Sequence, residues 1–222
     1  MDKKKISVTL NILIVLLVLL ASFMMFNGIR FSSHEMMLES RKLSMFRFFT
    51  ADSNIFMGLV ALIYVIYSYK NKDIPKYVYI LKHMGVAGVT LTFLVTLFVL
   101  APTIPSGFIS LYVNSNLFFH LIIPLLSIIS YVFYEKYDNK YIYSLYGIIP
   151  MIIYMNYYVG NLLIHYHDNI DRSIYYSTYD FYNFLHGNIK ASFVTIPIFI
   201  VVTYLISLGL TTLNIKLNKN LK

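Results

Sequence analysis

The chain has 222 residues, of which 58% are apolar and only 13% charged, with a mean hydropathy of +0.66. A soluble domain carries about 25% charged residues, so this is the composition of an integral membrane protein, and apolar stretches that recur to the C-terminus exclude a lone signal peptide. The formal charge of +8 does not mark a nucleic-acid binder, because the basic residues gather at the ends of apolar stretches, and the absence of cysteine removes disulfides and thiolate chemistry.

A helix needs about 20 apolar residues to cross the hydrocarbon core. Six stretches meet that length: Ile6–Gly28, Phe48–Tyr69, Tyr77–Ala101, Leu117–Tyr134, Tyr141–Ile164 and Ile189–Leu213. They predict an all-α polytopic bundle of six transmembrane helices and a single transmembrane domain over residues 1–222. With no tryptophan, the 21 tyrosines must supply the interfacial belt. Lys82 and His83 fall inside the third stretch, which predicts an interfacial inner end and an apolar core from Met84.

The cations set a direction. Lys3, Lys4, Lys5, Lys70, Lys72, Lys76, Lys82, Lys136, Lys140, Lys216, Lys219 and Lys222 fall on one side of the six stretches. Arg30, Arg41, Lys42, Arg47, Arg172 and Lys190 fall on the other. The positive-inside rule then puts both termini in the cytoplasm, for a multi-pass protein of a cell membrane, a bacterial plasma membrane by this reading. The inner loops KNKDIP and EKYDNK are short and are expected only to turn the chain. The first outer loop has the pattern of a short interfacial helix with Met36, Met37, Leu43, Met45 and Phe46 toward lipid. Chemistry is expected on the outer side, where loops are longer.

Polar residues inside spans are costly and face the bundle interior. In FFTADSN, Thr50 and Asn54 share a helix face and Ser53 lies three residues from Thr50. Thr50 or Asp52 as the cap of a helix starting at Ala51 or Ser53 is the plainer reading. In NSNLFFHLIIP, Asn116, His120 and Pro124 recur every four residues. The second and fourth spans both begin on the outer side, so Thr50 and His120 are expected at similar depth. A hydroxyl that meets an imidazole makes a nucleophile and its base, with Asn116, Asn114 or Asn54 to orient the ring or donate to an oxyanion. The plain alternative is that both residues only bond helices together. His165, His167 and Asp168 have ligand chemistry. They leave open a zinc-dependent hydrolase built on His120, His165 and His167 and assisted by Asp52 or Asp168; solvated loop residues are the simpler reading. Asp180, His186 and Asn188 would extend the polar mouth. Gly85, Ala87 and Gly88, with Thr90, Thr92 and Thr96, read as a helix-packing face.

FFTADSN, GVTLTFLVTLFVLAPT and NLFFHLIIPLL, in that order, resemble a bacterial family of six-helix membrane proteins. That family is related to the androgen-induced gene 1 and androgen-dependent tissue-factor-pathway-inhibitor regulator family. The resemblance covers about residues 45–135 and implies six spans with cytoplasmic termini. It also implies hydrolysis of fatty acid esters of hydroxy fatty acids, with Thr50 as nucleophile, His120 as base, no cofactor and a membrane lipid or lipid-like ester as substrate. Leu117 and Leu121 stand where the animal proteins tend to have a second His and a further Thr.

Overall fold

In the computed structural model, residues 3–33, 40–70, 73–103, 108–135, 137, 139–166, 171–180, 182 and 188–219 are described. Among them, six helices are long and apolar enough to cross a membrane: Lys3–Asn27, Phe49–Tyr69, Lys76–Leu100, Ser115–Tyr134, Tyr141–Ile164 and Ser192–Asn218. They are called the first to sixth spans below. Lys3 Nζ donates to the Phe133 carbonyl at 3.5 Å and Asn218 Nδ2 to the Glu135 carbonyl at 3.4 Å. The start of the first span and the end of the sixth therefore meet at one end of the bundle, the Glu135 end.

The third span is the hub, packed against the second, fourth, fifth and sixth. Its small residues permit this. A Cβ on Gly85 would lie 2.9 Å from Met57 Sδ, and one on Gly88 would lie 3.3 Å from Ser53 Cβ, so bare backbone lets the second and third spans close. Thr90 Oγ1 donates to the Val86 carbonyl at 2.7 Å and Thr92 Oγ1 meets Ser53 Oγ at 3.2 Å. Ile14, Ala21, Met57, Ala61, Val86, Phe119 and Ile123 fill the space between spans one to four.

Three prolines accompany irregular helix. Pro124 has no N–H for the His120 carbonyl, and residues Phe118–Ile122 just before it form a wider π-helical turn. Pro102 follows a second π-helical turn at Thr96–Leu100, and Pro150 follows the 3-10 segment Tyr141–Ile148. The extra residue in the Phe118–Ile122 turn breaks the strict four-residue register expected for Asn116, His120 and Pro124.

Several expectations change. Met45 is only 2% exposed and belongs to the core, whereas Leu43 and Phe46 are exposed; Met36 and Met37 lie outside the described residues. Residues Lys42–Arg47 form a short 3-10 helix. Lys82 and His83 are buried within the bundle, at 0% and 2% exposed. Glu135 does not merely turn the chain. Its Oε1 accepts from Lys82 Nζ at 3.0 Å, Asn11 Nδ2 at 3.0 Å and Ser130 Oγ at 2.6 Å. Lys82 also donates to Asn11 Oδ1 and sits over the Tyr64 ring at 5.2 Å. This buried network joins the first, third and fourth spans. The sixth closes it, through Asn214 Nδ2 on the Tyr131 and Glu135 carbonyls at 2.7 and 3.1 Å.

His83 anchors the fifth and sixth spans. Ser207 Oγ donates to the Ser144 carbonyl at 2.7 Å, so it accepts from His83 Nε2 at 2.6 Å, and His83 Nδ1 is left as a buried lone pair. Gly147 makes this chain possible, since a Cβ there would lie 2.2 Å from Ser207 Oγ and 2.6 Å from its Cβ. Gly147→Ala is expected to displace Ser207 and cost about 1–3 kcal/mol. Thermal unfolding in detergent checks this against Gly160→Ala, where nothing lies within 4 Å of the added methyl and no loss is expected.

Candidate functional site

The second span begins at Phe49, so Thr50 and Asp52 lie within its first turn and neither caps it. Phe48 is the N-cap and offers no side-chain bond. The Phe49 and Thr50 N–H groups belong to the orphan set at any helix start. Their partner comes from far along the chain: the phenol of Tyr182 lies within hydrogen-bond reach of both N–H groups and of the Thr50 hydroxyl. Burial pushes this phenol up to about 12, against those donors and Tyr154, which act to lower it. Tyr182 is therefore neutral at pH 7 and keeps its proton to donate.

Thr50 lines a small cavity of about 30 Å³ with Thr92, Thr96, Tyr154 and Tyr182. That volume holds roughly one or two waters. Beside it lies a much larger groove of about 410 Å³ between the second, third and fifth spans. Phe49 and Tyr154 line both spaces, with ring centroids 5.1 Å apart, so this pair is the wall between them. The Tyr154 hydroxyl donates to the Arg47 carbonyl at 2.8 Å, which fixes one half of the wall.

His120 is 1% exposed. Its Nδ1 lies 2.7 Å from the Leu111 carbonyl, an acceptor only, so Nδ1 carries the proton and Nε2 holds the basic lone pair. The ring meets Tyr112 edge-on at 6.4 Å. The level of His120 is tied to that of Thr50 through Asn54, whose Nδ2 donates to the Thr50 carbonyl at 2.7 Å and to the Phe119 carbonyl at 3.1 Å. The two side chains do not bond each other among the described residues: Thr50 reaches Tyr182, His120 reaches Leu111, and His120 lines neither cavity described above.

The supporting residues divide. Ser53 donates to the Thr50 carbonyl at 3.2 Å and joins Thr92, a role in packing. Asn54 has both amide protons committed, so it has none for an oxyanion; its Oδ1 is buried without a partner among the described residues. Asn114 has a left-handed backbone, φ 55°, and its Oδ1 accepts from the Phe31 and Ser32 N–H groups at 2.8 and 2.9 Å, which pins the first outer loop. Asn116 is 1% exposed, one helical turn before His120. Asn54 therefore has no donor to spare, and the Asn114 side chain is turned to the first outer loop. Tyr182 was missed by sequence reasoning, because nothing in a loop rich in tyrosine marks which one folds back on the second span.

His165 stacks on Tyr179 at 4.4 Å between centroids. His167, Asp168 and His186 lie outside the described residues, and among the described ones no three His, Cys, Asp or Glu side chains group in a way that could hold a metal. Asp180 is buried and accepts from the Tyr158 hydroxyl. Compared with known proteins, the chain matches no family model, no curated protein and no solved structure.

Proposed function

We propose that this is a membrane-embedded lipid-ester hydrolase with Thr50 as nucleophile. The observation that carries the reading is the position of Thr50: it lines a water-sized cavity that shares Phe49 and Tyr154 with an apolar groove. The cation count supports cytoplasmic termini, which sets Thr50 in the outer leaflet of a cell membrane. The resemblance to the androgen-induced gene 1 relatives supplies the reaction class.

An acyl chain enters the groove laterally and its ester reaches Thr50 when the Phe49–Tyr154 wall parts. His120 Nε2 takes the hydroxyl proton as Thr50 Oγ1 bonds the acyl carbon. The carbonyl oxygen becomes negative and takes the place of the Tyr182 phenol against the Phe49 and Thr50 N–H groups, at the positive end of the helix. The bond to the alcohol breaks and His120 returns the proton to the leaving oxygen. Water then attacks the acyl–Thr50 ester, loses a proton through His120 back to Thr50 Oγ1, and frees the carboxylic acid. Catalytic bonds are often unmade in a substrate-free site, and here the step needs His120 and Thr50 to approach.

A fluorophosphonate probe tests this directly. The expected result is covalent labelling that maps to Thr50 and disappears in Thr50→Ala; labelling that persists in Thr50→Ala overturns it. The second reading, a lipid-binding protein without catalysis, is favoured by the separate partners of Thr50 and His120. It predicts bound lipid and no labelling in the wild type.

A further inference from the structure

The large groove is lined by one acidic side chain. Asp52 sits in its wall, half-buried, at the Thr50 end of the second span, among the rings of Phe46, Phe49, Phe56, Tyr154 and Tyr157. A carboxylate against apolar surface needs a compensating partner. The Asp52 N–H donates to the Phe48 carbonyl at 3.2 Å, but its carboxyl group has no hydrogen bond and no ion pair among the described residues. Arg47, the basic residue closest in sequence, is committed elsewhere: Nη2 donates to the Thr178 carbonyl at 3.0 Å and the guanidinium lies over the Phe48 ring at 5.5 Å. A negative charge in the first turn of a helix is favoured by the helix dipole. That accounts for an acid near this position; it does not account for five aromatic rings around the same groove.

The groove runs from these rings inward to Met84, Gly85 and Pro150, near the middle of the third and fifth spans. It is apolar below and carboxylate-and-aromatic at its mouth. Ring faces and an anion together select a cation, and a large, weakly hydrated one above all. We infer that the groove binds an amphiphile with a cationic amine headgroup, the ammonium against Asp52 and the aromatic rings, the alkyl chain along Met84, Gly85 and Pro150. This rests on the reading that the groove receives a lipid chain, and it names the headgroup that reading leaves open.

The test uses two photoreactive octadecyl probes with a diazirine on the chain, one ending in trimethylammonium and one in a hydroxyl. The full chain is studied in nanodiscs of zwitterionic lipid, in a Thr50→Ala background so that no turnover enters. Crosslinks are mapped by mass spectrometry to the peptides containing Phe56 and Ile153. The ammonium probe is expected to label these at least about tenfold more efficiently than the alcohol, and Asp52→Asn to abolish the difference while alcohol labelling persists. Tyr157→Leu, at the exposed rim, is expected to reduce the preference and keep chain binding. Equal labelling by the two probes, or a preference that survives Asp52→Asn, overturns the headgroup assignment. Absence of either probe from the groove overturns the lipid-groove reading itself.

Discussion

Lys82→Met alone is expected to destabilise the folded bundle by about 3–5 kcal/mol, the largest stability loss from any single polar substitution considered. The reason is what remains. Glu135 is 1% exposed, and without Lys82 its carboxylate keeps only the Asn11 and Ser130 donors, with Oε2 already lacking a partner among the described residues. An uncompensated buried charge is the costly product, while removing both charges together is often neutral. Lys82→Met combined with Glu135→Gln is therefore expected to recover most of the loss. Equilibrium unfolding in mixed micelles of mild and denaturing detergent measures all three proteins. A Lys82→Met variant as stable as the wild type would mean that the pair contributes nothing to the fold.

Turnover of a lipid ester is expected to fall by about 10²–10⁴ in His120→Asn with little loss of stability. The choice of asparagine follows from the geometry. Its amide stands in for the Nδ1–H that reaches the Leu111 carbonyl at 2.7 Å, but it supplies no base at the position of Nε2. A purely structural role for His120 also predicts a retained fold in His120→Asn, but with turnover unchanged. Rates on a fluorogenic acyl ester, read beside thermal unfolding of the same samples, separate the two. Turnover equal to wild type in His120→Asn would remove His120 from the mechanism.

The spans themselves were legible in the sequence to within a few residues. Length and apolar content decide whether a segment is comfortable in hydrocarbon, and both are properties of a segment taken alone. The fifth, Tyr141–Ile164, coincides with its expected limits. The sixth runs beyond Leu213, where buried Asn214 and part-buried Asn218 donate to the backbone around Glu135, a contact that hydropathy does not register. The burial of Lys82 and His83 was missed for the same cause. A cation near the end of an apolar stretch looks solvated until a carboxylate just past the end of another span pairs with it.

The candidate site was partly legible. Thr50, Ser53, Asn54, Asn116 and His120 stood out because polar groups inside spans are conspicuous, and all five are buried. Their roles were not. Asn54 spends both donors on the Thr50 and Phe119 carbonyls, and Asn114 holds a loop. The sequence by itself determined a six-span α-helical membrane protein, because hydrophobic length and charge content are sums over neighbouring residues. Tertiary structure alone decided that Lys82 meets Glu135, that Tyr182 covers the start of the second span, and that Asp52 faces a ring-lined groove. Each of those facts depends on which distant segments pack together, and that is fixed by shape and pairing across the bundle rather than by local composition.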